Sequence, residues 1–513
     1  MSFRLSVFLT FLVTPVAFAD PPAQFDPIVC RTIELNEPQM FVDDYFIENR
    51  YNEDMISARV AHVLHLPERP SQPLITREED KPWEVNGLGY AGVVYDPKER
   101  LFRMYYQVHV PEEMRGKEGQ SPGKYRICYA ESEDGLNWKK PLFDLFPYGE
   151  QVTTNIVVQG QNEGHSPHIQ INTEGIEAET TDPVRNIGTL PSEAFRGHRF
   201  LLYSGDGPQF LATSDDGIRF NERQQQVLPR RIDCQQTLVF DGRRNEYVTF
   251  LRNKMIFDGP PGDLRRANHR MMTRLSSPEL WTLWEGMPTS VLIPDLGDDG
   301  RFYAMPTFLY GGVYWGMLNH LAEDPMKMEI ELVTSRDGFD WNHLPGRPRL
   351  ITIGPPGSWD SGMVITADRV IENGDEWWLY YTGYNGYHDE KDRYGSIGLL
   401  RFRKEGFVSV RADTRGKTSY LVTRPLLWPG GELALNADAK SGSVKARITD
   451  LYRNPVGDFT YDNCEPLSAD STRHTFRWKT GSLNELKGQL VRLEFEFQNA
   501  DLFTFMASDR EYD

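Results

Sequence analysis

The sequence is poor in several things, and each shortage excludes something. Cysteine occurs four times in 513 residues, at Cys30, Cys128, Cys234 and Cys464, with no CxxC pair. That excludes a small disulfide-stapled scaffold and a paired-cysteine zinc site. Positive charge is in deficit: 56 Lys and Arg against 74 Asp and Glu give a net charge of −18. Such a chain is a poor partner for nucleic acid or for an anionic lipid surface. No apolar run reaches the roughly 20 residues of a membrane span. Long amphipathic helical patterns are nearly absent. GxxxxGK, GxSxG and Rossmann glycine patterns are also missing, so no nucleotide or serine-hydrolase motif guides the reading.

The chain opens "MSFRLSVFLTFLVTPVAFAD", with Arg4 ahead of an apolar core and Ala17-Phe18-Ala19 as a small-x-small cleavage signal. This reads as a secretory signal peptide, residues 1–19, the alternative being a retained anchor. A secreted or periplasmic protein with no membrane span after cleavage is expected.

What remains is β-forming. Short runs rich in Val, Ile, Tyr, Phe and Trp, such as "LFRMYYQ", "HRFLLYSG", "NEYVTFLR" and "EWWLYYTG", are separated by Gly, Pro, Asn and Asp. That is the strand signature of an all-β protein. A repeat runs through them: "SEDGLNW" (Ser132–Trp138), "SDDGIRF" (Ser214–Phe220) and "SRDGFDW" (Ser335–Trp341). Asp-Gly is a turn pair, because Gly accepts positive φ and Asp bonds nearby backbone N–H groups. "SSPELWTLW" and "RKEGFVSV" read as degenerate copies, which makes five units of about four strands. Five such units predict a five-bladed β-propeller over residues 20–415, with "PQMFVDDYFIENR" offering a closing strand. The polar stretch Asn172–Phe195 reads as a loop inserted in the second unit. From residue 416 to 513 the alternation changes character and predicts a small C-terminal β-sandwich.

In a propeller the innermost strands line a central channel whose mouth gathers residues from several blades. An acid stands just before each presumed inner strand. Unit one has Trp83-Glu84, and unit two has Glu163, His165 and His168. Unit three has Asp233, unit four has Asp298, Asp299 and Tyr303, and unit five has Trp359-Asp360. Glycosidic-bond cleavage needs one protonated and one ionised carboxyl, and neighbouring like charges separate their pKa values. Glu84, Asp233 and Asp360 are the candidate catalytic acids. Trp83 and Trp359 are candidate sugar-stacking platforms, and His165, Tyr303, Tyr381 and His388 candidate substrate contacts; packing beneath the mouth is the alternative for the tryptophans. His165 and His168 have HxxH spacing without a third ligand, and zinc takes three or four, so neither a metal nor a cofactor is expected. The expected partner is a carbohydrate. Composition leaves the oligomeric state open.

The S-x-D-G turns, the five units, the secretion signal and the β-sandwich tail resemble the invertase–levansucrase–arabinanase superfamily of five-bladed propeller glycoside hydrolases. The phrases "FVDDYFIE", "PWE", "WDSGM" and "RPLLWPGGELALNAD" are similar to those of exported bacterial proteins of the family-32 N-terminal type, from about Phe41 to Ser508. The resemblance implies an Asp near the first inner strand, an Asp in the second blade and a Glu in the third. This chain departs at all three, with Glu84, "HSPHIQIN" and Asp233 in "IDCQQ". It also implies, through related mannoside phosphorylases, a phosphate pocket for which Arg252, Lys254 and His388 are available. A glycoside hydrolase is therefore the leading expectation. A non-catalytic carbohydrate-binding propeller comes second and a phosphorylase third.

Overall fold

The computed structural model describes residues 30–117, 120–176, 183–221, 225–232, 235–254, 270–295, 297–298, 300–412 and 416–512. The expected signal peptide, Asp233, Cys234 and Asp299 lie outside these residues. The described chain is almost entirely β, interrupted only by 3-10 turns of three or four residues. None of its helices is long and apolar enough to cross a membrane. Cys30, Cys128 and Cys464 are buried free thiols.

The first unit is a four-stranded antiparallel sheet: Leu88–Asp96, Leu101–His109, Tyr125–Ser132 and Ile156–Gln159, neighbours in that order. The second repeats it with His168–Ile171, Phe200–Ser204, Gly207–Ser214 and Gln225–Ile232. The third uses Leu238–Asp241, Glu246–Lys254, Arg270–Ser277 and Thr289–Leu292. The fourth runs Thr307–Tyr310, Val313–Ala322, Met328–Ser335, then Trp341–His343 and Arg349–Ile351 sharing one edge. In the fifth, Met363–Thr366 and Ile371–Asn373 both pair with Glu376–Tyr384, which pairs with Gly395–Arg403. Isolated bridges from Glu68 to Arg401 and from Ile75 to Ile397 cover its outer edge. A single parallel pair, Met328 with Met363, joins the fourth and fifth units. Strand Leu88–Asp96 of the first unit packs on His168–Ile171 of the second and on Glu376–Tyr384 of the fifth, so the last unit returns to the first.

The repeated turn explains how neighbouring units dock. In each full copy the serine Oγ accepts from the glycine N–H: Ser132 from Gly135, Ser214 from Gly217 and Ser335 from Gly338, all at 2.9 Å. The aspartate Oδ1 then takes the next two N–H groups, as Asp134 does from Leu136 and Asn137 at 2.8 and 2.7 Å. The glycines sit at φ 71°, 74° and 77°, where a side chain would be strained. Two of the turn carbonyls are gripped by the preceding unit: Tyr105 Oη donates to Gly217 O at 2.7 Å, and Tyr380 Oη to Gly135 O at 2.9 Å. Tyr105-Tyr106 and Tyr380-Tyr381 therefore occupy matching places in units one and five.

The N-terminal strands differ from the expected closing strand. Gln39–Met40 pairs with Thr504–Phe505, and Ile47–Asn52 pairs with Ser419–Thr423. Val60–Leu64 pairs with Val408–Ala412. Phe41 and Phe46 pull this segment in, with ring centroids 5.3 and 5.5 Å from that of Phe505. Two six-stranded sheets result, drawn from both ends of the chain, and they bury one shared core that includes Phe41, Leu421, Leu435, Phe495 and Phe505. The degenerate fifth turn anchors this unit to the rest. Glu405, at φ 59° and fully buried, accepts from Tyr310 at 2.7 Å, Thr504 at 2.8 Å, Arg473 at 2.7 Å and Asn436 at 3.3 Å.

Candidate active site

A cavity of about 370 Å³ opens where the first strands of units one and five, the loop before unit two and the loop before unit four converge. Its floor is apolar, from Met328, Met363 and Ile365. Its walls are aromatic and basic.

Tyr90 is aimed into it by an irregularity. The ladder of Leu88–Asp96 slips between Gly89 and Gly92, and Tyr90 adopts φ 43°. A bulge of this kind re-aims a side chain, and strain of this kind concentrates at functional sites. Gly89 is required beside it, because a Cβ there would lie 2.5 Å from the Tyr384 hydroxyl. Burial and the neighbouring Tyr303 and Tyr384 hydroxyls push the Tyr90 pKa well above the usual phenol value, so it stays protonated and can donate.

His165 stands between two rings, its centroid 5.3 Å from Tyr90 and 4.7 Å from Tyr125. The backbone that carries it is fixed on both sides. Gln107 Oε1 accepts from Ser166 N at 2.9 Å, and His165 O accepts from Gly205 N at 3.0 Å. Tyr303 enters from the fourth unit, its N–H held by Asn319 O at 2.8 Å. The guanidinium groups of Arg252 and Arg270 lie 4.7 and 5.3 Å from its ring centroid. His388 overhangs from the loop after Tyr384, with Nε2 3.4 Å from the Tyr303 hydroxyl. Three of the residues singled out in the sequence, His165, Tyr303 and His388, thus share one cavity. Tyr90, Tyr125, Tyr384, Lys391 and Arg393 join them.

The aromatic–acid pairs lie elsewhere. Trp83 and Glu84 form the 3-10 turn Pro82–Glu84, with both side chains buried. Glu84 accepts from Tyr106 Oη at 2.6 Å, from Lys140 Nζ at 2.7 Å and from Glu78 N at 3.1 Å. Trp83 Nε1 donates to Asn155 Oδ1 at 2.8 Å. Asp360 has the same surroundings: Tyr381 Oη at 2.9 Å, Ser358 Oγ at 2.8 Å and the Arg69 guanidinium. Trp359 packs on Tyr381, centroids 5.2 Å apart, and over Gly398, where a Cβ would come within 2.7 Å of the indole. Both pairs are therefore built alike, and neither Glu84 nor Asp360 lines the cavity. A carboxylate held by a cation and a tyrosine at a buried strand start is a clamp.

Further along the same inner strands the units are stitched by polar contacts. Asp368 pairs with His168 and, at 2.8 Å, with Arg369. Gln235 Nε2 donates to Thr366 O at 2.9 Å, and Thr237 Oγ1 accepts from Thr307 N at 3.0 Å. One group among the described residues has metal-ligand chemistry: Asp298, His320 and Glu331, with donor atoms within 4.8 Å of one another. Basic side chains already meet its carboxylates. Arg347 stands 2.9 Å from Asp298, and His343 and Arg349 stand 2.7 and 3.1 Å from Glu331. Burial alone would raise the Glu331 pKa, but His320 and His343 bring it down to about 2.

No family model matches the chain, and no curated protein matches it in sequence. The solved structures it resembles include glycoside hydrolases. A putative glycoside hydrolase from Bacteroides ovatus is 12% identical over 67% of this chain and 97% of its own, with a TM-score of 0.43. The catalytic domain of a family-62 α-L-arabinofuranosidase from Coprinopsis cinerea is 11% identical over 65% and 98%, TM-score 0.41. A family-43 arabinoxylan arabinofuranohydrolase from Bacillus subtilis is 13% identical over 86% and 100%, TM-score 0.34. Function has to be read from the site itself, because one fold hosts many chemistries.

Proposed function

We propose that the protein is an exported, carbohydrate-active five-bladed propeller with an appended β-sandwich, and that it cleaves glycosidic bonds of a saccharide held in the central cavity. The observation that carries this reading is convergence. Tyr90, His165, Tyr303 and His388 come from four places in the sequence and meet around one cavity with an apolar floor. Rings and a few fixed polar groups are what a sugar needs: apolar faces to stack on and hydrogen bonds to its hydroxyls. Tyr90, kept protonated, and the Tyr303–His388 pair supply donors that would orient a saccharide. Of the three acids considered from the sequence, Glu84 and Asp360 are spent on clamps, which leaves Asp233 as the carboxylate to test as general acid or base.

A second reading, a carbohydrate-binding propeller without catalysis, is favoured by one observation: no described residue lining the cavity is an Asp or a Glu. A polysaccharide panel separates the two. Sugar release by the wild type, abolished in Asp233→Asn and reduced in Tyr303→Phe, supports cleavage. Binding without release supports the second reading. Release undiminished in Asp233→Asn, Tyr303→Phe and His388→Ala together would move the site out of this cavity.

A further inference from the structure

The same cavity has an electrostatic character that runs against the rest of the molecule. The chain carries −18 overall, yet the charged side chains lining the cavity among the described residues are Lys391 and Arg393, with His109 beside them. The loop that supplies them, "NGYHDEKDRY", holds three acids as well, but Asp389, Glu390 and Asp392 do not line the cavity. Glu390 turns back on its own loop, accepting from Tyr387 N at 3.2 Å. Arg393 donates only to the backbone carbonyl of Glu390, and neither it nor Lys391 makes an ion pair among the described residues. Other buried or half-buried arginines among the described residues do pair, including Arg69 with Asp360, Arg103 with Asp96 and Arg473 with Glu405. Two cations at a cavity edge in an acidic protein, with no ion-pair partner among the described residues, leave a place for an anion.

The neighbourhood strengthens the field. Arg115 Nη2 lies 3.3 Å from His109 Nε2, and Asn86 Nδ2 donates to His109 O at 2.9 Å. Burial and then the charges of Arg115, Arg393 and Lys124 push the His109 pKa down. An acidic protein repels acidic glycans at long range, so recognition of one requires such a local reversal.

Resting on the proposed saccharide site, we infer that its substrate is an acidic saccharide, whose oxyanion is bound by Arg393 and Lys391 while the sugar ring lies among Tyr90, His165 and Tyr303. A uronate carboxylate and a sulfate ester share this chemistry.

Binding calorimetry on the full chain tests it with four probes: oligogalacturonate, the same oligomer with its carboxylates reduced to alcohols, a sulfated galactan oligosaccharide, and inorganic phosphate. The expected result is that an acidic oligomer binds at least about tenfold more tightly than the reduced one. Arg393→Gln with Lys391→Gln should erase that preference while leaving weak binding of the reduced oligomer in place. Added salt should weaken the acidic probe alone. Tight binding of oligogalacturonate or of the sulfated oligomer identifies the source of the oxyanion. Equal binding of acidic and reduced oligomers, or an unchanged preference in the double variant, overturns the inference and leaves the saccharide site standing. Saccharide binding that survives Tyr303→Phe and His388→Ala overturns the site itself. Phosphate binding that depends on Arg393, with no response to either acidic oligomer, overturns the acidic sugar in favour of a free phosphate.

Discussion

Glu84 and Asp360 on one side, and Tyr90, His165 and Tyr303 of the cavity on the other, are built at or near the starts of inner strands. They solve opposite problems. At Glu84 every carboxylate lone pair of consequence is occupied, by a tyrosine, a lysine and a backbone N–H. At the cavity edge, the exposed Lys391 and the half-buried Arg393 make no ion pair among the described residues. A buried group whose bonds are all internal holds the fold, whereas a charge at a cavity edge without an internal partner is fitted for a ligand. Sequence position relative to a strand does not distinguish them; bonding does.

The strongest way to break this contrast is Glu84→Ala. It takes the buried partner from the Lys140 ammonium, whose side chain is only 3% exposed, leaving it Glu78 at 2.9 Å and the Thr76 carbonyl at 2.7 Å, and should cost about 3 kcal/mol of stability in urea unfolding. Loss of activity at unchanged stability would return Glu84 to the chemistry. Glu405→Gln comes next and is read against pH. Burial acts to raise the Glu405 pKa, but Arg473, Tyr310 and Lys404 outweigh it and hold it at about 2. Its contribution is therefore present above its unfolded value, near 4.5, and is lost as pH falls from there toward 2. The wild type should lose stability over that window, and the glutamine variant should show a shallower loss there. Asp360→Ala should cost less than Glu84→Ala, about 2–3 kcal/mol, because its partner Arg69 is 26% exposed and can rehydrate. His388→Ala should do the reverse of all three. Saccharide binding or turnover should fall roughly tenfold while the unfolding midpoint stays within about 0.5 kcal/mol of wild type. The smallest effect sharpens the picture: Gly89→Ala crowds the Tyr384 hydroxyl, and titration with a saccharide should show weakened binding before any change in thermal midpoint.

The turn device was legible because its physics is local: Ser, Asp and Gly within four residues satisfy one another, and the structure repeats the pattern three times over. The strands were legible from alternation. The destination of residues 39–64 was not, since nothing in "PQMFVDDYFIENR" says which edge it will join; Phe505, its ring partner, lies more than 400 residues away. The acids before the inner strands were visible, but their clamps were not, because Lys140 and Arg69 reach them across 56 and 291 residues. The positions of His165, Tyr303 and His388 single them out in the sequence, whereas those of Tyr90 and Arg393 do not. The run "NGLGYAG" held the signal for Tyr90: two glycines ahead of a tyrosine at the head of a strand mark a close approach and a bulge.

The N-terminal strands have one more consequence, which concerns time. The segment ending at Leu64 finds its sheet partners only when residues 408–508 exist. At the ribosome's pace of about 5–20 residues per second, those first strands wait roughly 20–90 seconds with open edges and exposed phenylalanines. A chain built this way cannot finish its first-made part before its last-made part. It stays open until synthesis is complete, the state in which a chaperone that covers strand edges has the most to protect.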